Sequence, residues 1–561
     1  MKFPFKICLF LAFGLLIINQ LNAQSDNLIL GSKYYTLFDR LDIKLKHDSI
    51  FSFLTVKPFN RRILTERLQY IDSLNKTTPG SSYLTSVDRY NIQHFLTDNS
   101  EWTNNYDNNI NISKKRTFYN TPAHLFEVNT KQFTFRVDPL LNLQIGSAND
   151  GTGSIYQNTR GVLLRGNIDK RIGFYSYVTD NQEKDPLYVR NYVAAHNGLP
   201  GAGFYKPYKN NGYDYFDMKG GISFRLAKYI NTEFAYDKLF IGNGIRSLLL
   251  SDFSNNYLFL RLNTRLWKFK YEMIIAETFQ SVPQIQREKK PRNYMAIHHL
   301  SAQVARWLNV GIYENIMENG SGGLQLGYLN PVIFYRAIES NLGAAGKANI
   351  GIDLKSNVTN KFQLYSQLLI NEFHIHEILH YGQGAFVNKQ ALQLGGKYID
   401  AFGISNLDLQ GEINFIRPYT YTNFDSVTNF THYNQPLAHP LGANVRELIG
   451  VIKYQPIPKL YLGAKLDYFY QGLDSAGINM GSDIFKSYIS RPRDYGFFIG
   501  TGIPVTSLTA AFNASYEVYE NMFLDFNITH RSYNIQNQSN SSVLIYGLGL
   551  RVNMAKRTFD F

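Results

Sequence analysis

The 561-residue chain has almost no cysteine: the only one, Cys8, lies inside an apolar N-terminal run. Lys2 and Lys6 precede this run of residues 7–18, and Leu21-Asn22-Ala23 follows it before Gln24. The pattern predicts a secretory signal at residues 1–23, cleaved after Ala23. A mature chain without cysteine excludes disulfides, thiolate metal sites and thiol catalysis. Since Cys8 does not lie at the cleavage position, no lipoprotein anchor is expected.

Long apolar runs are also missing. After residue 23 no run reaches the roughly 18 residues that a transmembrane helix needs, which excludes a helical membrane protein. The chain has only 3 Trp, but it has 40 Tyr, 40 Phe and 42 Gly. Aromatic residues favour strands and glycines favour turns, so the composition predicts an all-β protein.

Acidic residues are in the minority. The chain has 57 Lys and Arg against 44 Asp and Glu, a formal net charge of +13, and loss of Lys2 and Lys6 with the signal lowers this charge by two. In an exported protein, such an excess favours acidic polysaccharide or lipopolysaccharide phosphates over nucleic acid as a partner. A solvated basic surface without any partner is an equally simple interpretation.

Residues 24–118 have a helical pattern. In RRILTERLQYIDSL, Leu64, Leu68 and Ile71 recur at helical spacing, and TSVDRYNIQHFL follows the same spacing. This segment is expected to be a small helical domain in the periplasm. It could be a packed cap or a module that binds a partner.

Residues 119–561 change to a period of two. Leu258, Leu260 and Leu262 alternate with Arg261 and Asn263, and similar alternation recurs along the chain. The pattern predicts about 18 strands between residues 133 and 553, joined alternately by short and long connections. These features predict a transmembrane β-barrel in the outer membrane, with long loops outside and both termini in the periplasm.

Two features bear on the barrel's lumen and assembly. The aromatic C-terminus, Phe561, resembles an assembly signal, although Phe559 and Phe561 are out of phase with Leu548 and Leu550, which requires a bulge or a strand end between them. The long connections 319–345 and 418–445 are rich in aromatics and poor in charge. Such residues are more stable folded inward than extended into water, so these two connections are predicted to plug the lumen.

The stretch His374-Ile375-His376-Glu377-Ile378-Leu379-His380 contains the zinc-protease pattern H-E-x-x-H. It falls in a long connection between two strands, whereas such proteases set the pattern in a long helix with a third ligand. The sequence therefore predicts a loop without a metal, and neither a cofactor nor an enzyme activity is expected.

Several long motifs identify a family resemblance. The stretches at 242–260, 327–341, 381–422 and 431–448, beginning GNGIRSLLL, GYLNPVIFY, YGQGAFVNK and THYNQPLAH, resemble the Wzi-type capsule assembly family. Within that family the chain is most similar to the RemB-like branch, linked to gliding motility. The resemblance implies an eighteen-stranded outer-membrane barrel, closed by loops and periplasmic helices, that acts as a lectin for surface polysaccharide.

Sugars are bound by aromatic faces and planar hydrogen-bonding groups, which the predicted outer loops supply. The candidate glycan-binding residues are Tyr328, Tyr335, Arg336, Tyr381, Tyr419, Tyr421, His432 and Tyr433. A basic loop that could meet acidic sugar contains Arg287, Lys289, Lys290 and Arg292. The alternative interpretation of the aromatic residues is that they pack within a plug or a membrane girdle. The alternative for the basic loop is that it is solvated or contacts lipopolysaccharide.

Three functions follow from these features. The first is binding, assembly or anchoring of capsular or exopolysaccharide, with outer-membrane lipid, lipopolysaccharide and surface polysaccharide as partners. The second is a component of gliding or adhesion machinery, which would add other envelope or motility proteins as partners. The third is an open porin, and a conducting lumen would distinguish it from the other two.

Overall fold

The computed structural model of the chain describes residues 25–77, 83–103, 123–281, 291–331, 335, 347–372, 377, 381–475 and 477–561. Its main feature is a closed antiparallel barrel of 18 strands, in which the last strand pairs with the first. Helices from the N-terminal segment lie at one end of this barrel. The predicted fold class is confirmed.

The barrel strands are numbered β1 to β18 along the chain. Their bounds are β1 Phe133–Ala148, β2 Gly153–Ile168, β3 Ile172–Lys184, β4 Gly212–Ala227, β5 Ile230–Asp237, β6 Tyr257–Leu266, β7 Phe269–Phe279, β8 Arg292–Ala305, β9 Leu308–Asn319, β10 Lys347–Asn357, β11 Phe362–Glu372, β12 Lys389–Tyr398, β13 Leu407–Ile416, β14 Val445–Ile457, β15 Leu460–Leu473, β16 Ile503–Tyr519, β17 Met522–Ile535 and β18 Ser541–Val552. Short strands outside this ring are Val56–Lys57, Phe126–Asn129, Lys206–Tyr208, Phe240–Ile241, Thr431–His432 and Gln435–Pro436.

The described residues also form four α-helices, with bounds α1 Tyr34–Leu45, α2 Arg61–Thr77, α3 Ser86–Asp98 and α4 Leu187–His196. Single 3-10 turns lie at Phe51–Phe53, Ser100–Trp102, Gly320–Gly322, Leu326–Leu329, Tyr381–Gln383, Ala401–Gly403, Ser426–Thr428 and Tyr488–Ser490. Within the described part of the chain, no helix is both long enough and apolar enough to cross a membrane.

The two faces of the strands differ as the sequence predicts. On β6, the outward-facing Leu258 and Leu260 are 37% and 36% exposed. The next residue, Arg261, is only 4% exposed and pairs with Glu272 on β7. An apolar face turned outward and a polar face turned inward is the arrangement that a lipid-spanning barrel requires. The alternation of apolar and polar residues along the sequence therefore predicts both the strands and which of their side chains face the lipid.

The two ends of the barrel are also different. At one end, here called the inner end, the connections are short: 169–171, 228–229, 267–268, 306–307, 358–361, 399–406, 458–459 and 520–521. At the outer end the connections include the long ones 185–211, 238–256, 417–444 and 474–502. The predicted alternation is therefore present, with two exceptions, since the outer connections 149–152 and 536–540 are short.

The N-terminal helices close the inner end through ion pairs with the wall. Thr85 caps α3 in a capping box with Asp88, and the Asp88 carboxylate also pairs with Arg40 of α1 at 2.8 Å. Arg40 in turn pairs with Asp400 at 2.9 Å and with Asp408 on β13. One buried network thus joins α1, α3 and the barrel, so the helices form a packed cap, here called the helical plug.

The C-terminal segment corrects one interpretation of the sequence. Strand β18 ends at Val552, and residues 553–561 turn back into the lumen, where Phe561 is only 8% exposed and packs against Tyr192 at 4.6 Å. The out-of-phase aromatics therefore mark a strand end, as expected. Phe561 itself does not face lipid, so it lacks the position of an assembly signal at the end of the last strand.

The connection between β9 and β10 corrects a second interpretation of the sequence. Tyr328 and Tyr335 pack on Ala296 and Ile316, and the Tyr335 N–H donates to Glu314 at 2.9 Å. These three wall residues point outward, because their neighbours on the strands point into the lumen. Residues 328–331 and 335 therefore lie against the outside of the barrel wall, and the prediction that 319–345 plugs the lumen is wrong for these residues.

A surface-labelling experiment tests the orientation of the barrel. An epitope inserted after Lys209, in an outer connection, is expected to be labelled on intact cells, and one inserted between Glu520 and Asn521 is not. Lysed cells should label both insertions, which controls for epitope access. Labelling of the second insertion on intact cells would invert the topology.

Candidate functional site: a sealed lumen and an exposed outer face

The outer half of the lumen is filled by an apolar seal. It is built on the connection 238–256, in which Leu248, Leu249 and Leu250 are fully buried. They pack against inward-facing wall residues and against residues 421–443 of a second connection. Tyr421 donates its hydroxyl to the Leu248 carbonyl at 3.0 Å. The connection 418–445 therefore plugs the lumen as predicted, and the sequence did not predict the role of 238–256.

Below this seal, Arg246 ties the connection to the wall and to the C-terminus. Its guanidinium lies 2.8 Å from Glu447 on β14, 2.9 Å from Asp467 on β15 and 3.1 Å from Asp560. The backbone N–H groups of Ile245 and Arg246 both donate to the carboxylate of Glu412. Burial opposes the charge on Arg246, but the three carboxylates outweigh it and raise the pKa of the guanidinium well above its ordinary value. This buried cation holds three chain segments together.

The C-terminal tail, residues 553–561, divides the remaining space. A cavity of about 530 Å³ and another of about 450 Å³ are both lined by residues 556–560. Arg557 anchors the tail by donating to Glu183 at 2.7 Å and to the Pro200 carbonyl at 2.7 Å. The tail therefore lines two cavities in the space between the helical plug and the apolar seal.

Most of the predicted glycan-binding side chains are buried. Tyr419 is 0% exposed, and its hydroxyl donates to the Asn479 carbonyl at 2.7 Å. Tyr421, Tyr328 and Tyr335 are at most 2% exposed. In this structure these four rings pack loops together and offer no face to an outside ligand, which corrects their predicted role as direct contacts.

His432 and Tyr433 form a tight hairpin turn at the outer end. His432 is 0% exposed; it accepts from the Phe279 N–H at Nδ1, 3.0 Å, and its Nε2 donates to the Asn256 carbonyl at 3.0 Å. Burial lowers the pKa of His432 to about 4, so its imidazole is neutral at pH 7. His432 is therefore a structural residue, and Tyr433, half-buried against Phe279, remains a candidate at the edge of the site.

The other predicted contacts are mostly outside the described residues. These are Arg336, Arg287, Lys289 and Lys290, together with the side chain of Tyr381. Arg292, the last member of the basic loop, has an exposed side chain that pairs with Glu277 at 3.2 Å. Of the four residues predicted in the basic loop, Arg292 is the one within the described residues, and its side chain is exposed as predicted.

Three outer segments come together in a rigid platform, defined here as residues 383–388, 417–424 and 479–498. The buried Arg417 joins them: it donates to the carbonyls of Asn388 at 2.7 Å, Ala385 at 3.3 Å and Phe497 at 3.2 Å. Residues 383–386 and 494–497 also pair through backbone hydrogen bonds of 2.8–3.0 Å. A loop surface fixed in this way can present side chains in one geometry.

The platform exposes aromatic and planar groups to the outside. Phe424 is 60% exposed and Tyr495 is 46% exposed, while Arg493 and Gln383 are also exposed. Tyr488 of the same platform is half-buried, and the ammonium of the fully buried Lys389 lies 3.6 Å from its ring centroid. Together these five side chains form the outer binding face. Sequence reasoning missed them, because nothing local separates them from the buried tyrosines.

The described part of the H-E-x-x-H stretch belongs to the same surface. Glu377 accepts from the Tyr495 hydroxyl at 3.1 Å, and its backbone carbonyl accepts from Asn388. His374, His376 and His380 lie outside the described residues. Elsewhere in the described chain, His94, Glu517 and Glu520 lie close enough to share a metal ion, but Lys33 already pairs with both carboxylates at 2.6 and 3.0 Å.

A metal analysis tests the protease interpretation. The double variant His376→Ala/His380→Ala is expected to keep the expression and surface level of the wild type, and neither protein should hold stoichiometric zinc. Inductively coupled plasma mass spectrometry of the purified proteins measures this directly. One zinc per wild-type chain, lost in the double variant, would restore the protease interpretation.

Comparison with known proteins establishes the fold. No family model and no curated protein matches the chain. Among solved structures it is similar to Wzi of Escherichia coli, an outer-membrane protein involved in group 1 capsule assembly and a carbohydrate-binding β-barrel, with a TM-score of 0.53 and 12% identity over 96% of this chain and 100% of that one. Acinetobacter baumannii OccAB2 and Pseudomonas aeruginosa OprD each give a TM-score of 0.41 at 9% identity over 74% of this chain, covering 97% and 94% of theirs. The chain is therefore an outer-membrane barrel with the fold of Wzi, and the RemB-like assignment stays a prediction.

Proposed function

We propose that this protein binds surface polysaccharide on its outer face and helps to anchor it to the cell, with a lumen that stays closed. The observation that carries the proposal is the outer binding face: exposed aromatic rings and planar donors on a platform that buried hydrogen bonds hold rigid. The role is binding rather than catalysis. The carbohydrate-binding description of Wzi, a barrel of the same fold, supports the same class of ligand.

The chemistry of the face suits a sugar chain. Sugar rings place their C–H faces on aromatic side chains, as Phe424, Tyr488 and Tyr495 offer, and their hydroxyls pair with planar groups such as Arg493 and Gln383. Arg493 would also favour an acidic sugar, since its guanidinium is exposed and binds carboxylates bidentately. Because the platform is already ordered, little conformational entropy is lost on binding.

The closed lumen supports a surface role over transport. The apolar seal and the helical plug lie in series, and the tail fills part of the space between them. Water and ions would have to displace packed leucines and buried ion pairs to pass. A component of gliding machinery is the second candidate from the sequence, and binding data distinguish it from the first.

Binding of polysaccharide by the purified protein tests the proposal. The variant Phe424→Ala/Tyr495→Ala removes two exposed rings and is expected to weaken binding by about tenfold or more, since each ring contributes ~0.5–1.5 kcal/mol beyond its buried area. The matched control Phe204→Ala/Phe402→Ala removes two exposed rings elsewhere, one of them at the inner end, and should bind as the wild type does. Isothermal titration with surface polysaccharide from the native host provides the measurement.

Equal binding by both double variants would move the glycan site away from the platform. A wild type that binds no polysaccharide, in cells whose movement stops when the protein is deleted, would favour the gliding role instead.

A further inference from the structure

The inner rim of the barrel has an uneven distribution of charge. Five of its short connections lie side by side, from 169–171 to 358–361, and each contains a basic residue. The basic residues of these connections are Lys170, Arg171, Lys228, Lys268, Arg306 and Lys361, all of them exposed. No acidic side chain of the described residues lies within ion-pair distance of these groups, except Asp169, which is 3.2 Å from Arg171.

Exposed aromatic residues stand beside these cations. Tyr229, Trp267 and Trp307 are 48%, 76% and 53% exposed, and each is next to a Lys or Arg in its turn. Lys228 and Lys268 place their ammonium groups 5.1 Å from the ring centroids of Tyr229 and Trp267. Aromatic rings with cations beside them are the groups that settle at a membrane–water interface.

The acidic groups of the inner rim are used differently. Asp400, in the connection 399–406, pairs with Arg40 and Lys44 of the helical plug at 2.9 and 3.0 Å. Glu520, in the connection 520–521, pairs with Lys33 at 3.0 Å and with His94. These two rim acids are therefore neutralised from inside, whereas the basic groups are exposed and only Arg171 among them has an acidic partner among the described residues, Asp169.

We propose that the basic and aromatic turns from 169–171 to 358–361 bind anionic phospholipid headgroups of the inner leaflet. The apolar belt directly above them identifies a lipid as the occupant: Leu226, Leu266 and Val304 are 58%, 57% and 57% exposed and lie within three residues of the turns. A ligand at this rim must meet hydrocarbon and cations together. Each Lys or Arg near an anionic surface adds electrostatic attraction, so several in a row select anionic over zwitterionic lipid.

Native mass spectrometry of the full-length protein tests this selection, with phosphatidylglycerol and phosphatidylethanolamine as competing probes. The wild type is expected to retain phosphatidylglycerol preferentially, and the preference should weaken as salt screens the cations. The variant Lys228→Gln/Lys268→Gln/Arg306→Gln should lose at least about fivefold of the retained phosphatidylglycerol. The matched control Arg160→Gln/Lys206→Gln/Lys209→Gln removes three exposed cations away from the inner rim and should retain the wild-type amount.

Equal retention of both lipids by the wild type would overturn the proposal, as would a triple variant that keeps the preference. Heat-modifiable gel mobility reports whether the triple variant is folded. If it is not, the single variant Lys268→Gln, in an exposed turn, and the salt dependence of the wild type decide the question. A proportional loss in the control set would mean that net charge alone attracts the lipid, which also contradicts a site at the inner rim.

Discussion

Replacing residues 242–255 by a short glycine-serine linker and deleting residues 34–98 in the same chain is expected to turn a silent barrel into one that conducts ions steadily. The first change removes Leu248, Leu249 and Leu250, so the remaining seal residues 421–443 lose the side chains against which they pack. The second change removes the helical plug. An eighteen-stranded barrel is wide enough to hold a water-filled channel once its closures no longer pack. Single-channel recording in planar bilayers provides the measurement.

The two single changes give the controls for this prediction. Since the closures lie in series, either one alone should block current, so each single variant is expected to stay silent or to open only briefly. Heat-modifiable gel mobility confirms that every variant contains a folded barrel. Steady conductance in the wild type would contradict a sealed lumen and favour the porin interpretation.

The variant Arg246→Ala is expected to lose about 3–5 kcal/mol of unfolding free energy, because it leaves buried carboxylates without their cation. Glu447, Asp467 and Asp560 all face this guanidinium, and Lys465 compensates only part of their charge. Urea unfolding, followed by tryptophan fluorescence in detergent, measures the change. The loss should be accompanied by release of the tail, detected as proteolysis after residue 553.

The exposed Arg306 provides a matched control. The variant Arg306→Ala removes the same functional group from a turn and should stay within about 0.5 kcal/mol of the wild type. If Arg246→Ala is as stable as Arg306→Ala and keeps its tail protected, the buried network does not hold the plug in place.

The barrel could be predicted from the sequence because its signals are local. Alternation such as that of Leu258, Leu260 and Arg261 depends on the lipid on one side and water on the other, and every strand repeats it. The lengths of successive connections then give the two ends of the barrel. The phase of Phe559 and Phe561 against Leu548 and Leu550 also predicted a bulge or a strand end, and the structure has the strand end, after Val552.

The contents of the lumen could not be predicted in the same way, because they depend on partners far apart in the sequence. Arg246 meets Asp560 across 314 residues, and neither residue has a local pattern that marks it as buried. The connection 319–345 is rich in aromatics and poor in charge, as 418–445 is, yet its residues 328–331 and 335 lie outside the wall. Composition predicts that an apolar loop finds a surface to cover, but it does not say which side of the wall provides that surface.

The side chains exposed at the candidate site could not be predicted from the sequence for the same reason. Tyr421 and Tyr495 both lie in outer connections with polar neighbours, but Tyr421 donates to a buried carbonyl and Tyr495 is 46% exposed. Tyr419 and Tyr421 also have φ values of 63° and 74°, a left-handed conformation that costs about 1–3 kcal/mol and persists only where packing holds it. Both the predicted and the proposed glycan contacts are mainly aromatic, but burial removes four of the predicted tyrosines and leaves different aromatic side chains exposed.

One titration tests most directly whether this sealed barrel binds polysaccharide on the outer binding face. Purified protein in detergent is titrated with surface polysaccharide from the native host, beside the variant Phe424→Ala/Tyr495→Ala and the control Phe204→Ala/Phe402→Ala. We expect saturable binding by the wild type and the control, and binding about tenfold weaker or more in the platform variant. Absence of binding by the wild type, or equal binding by all three proteins, would contradict it.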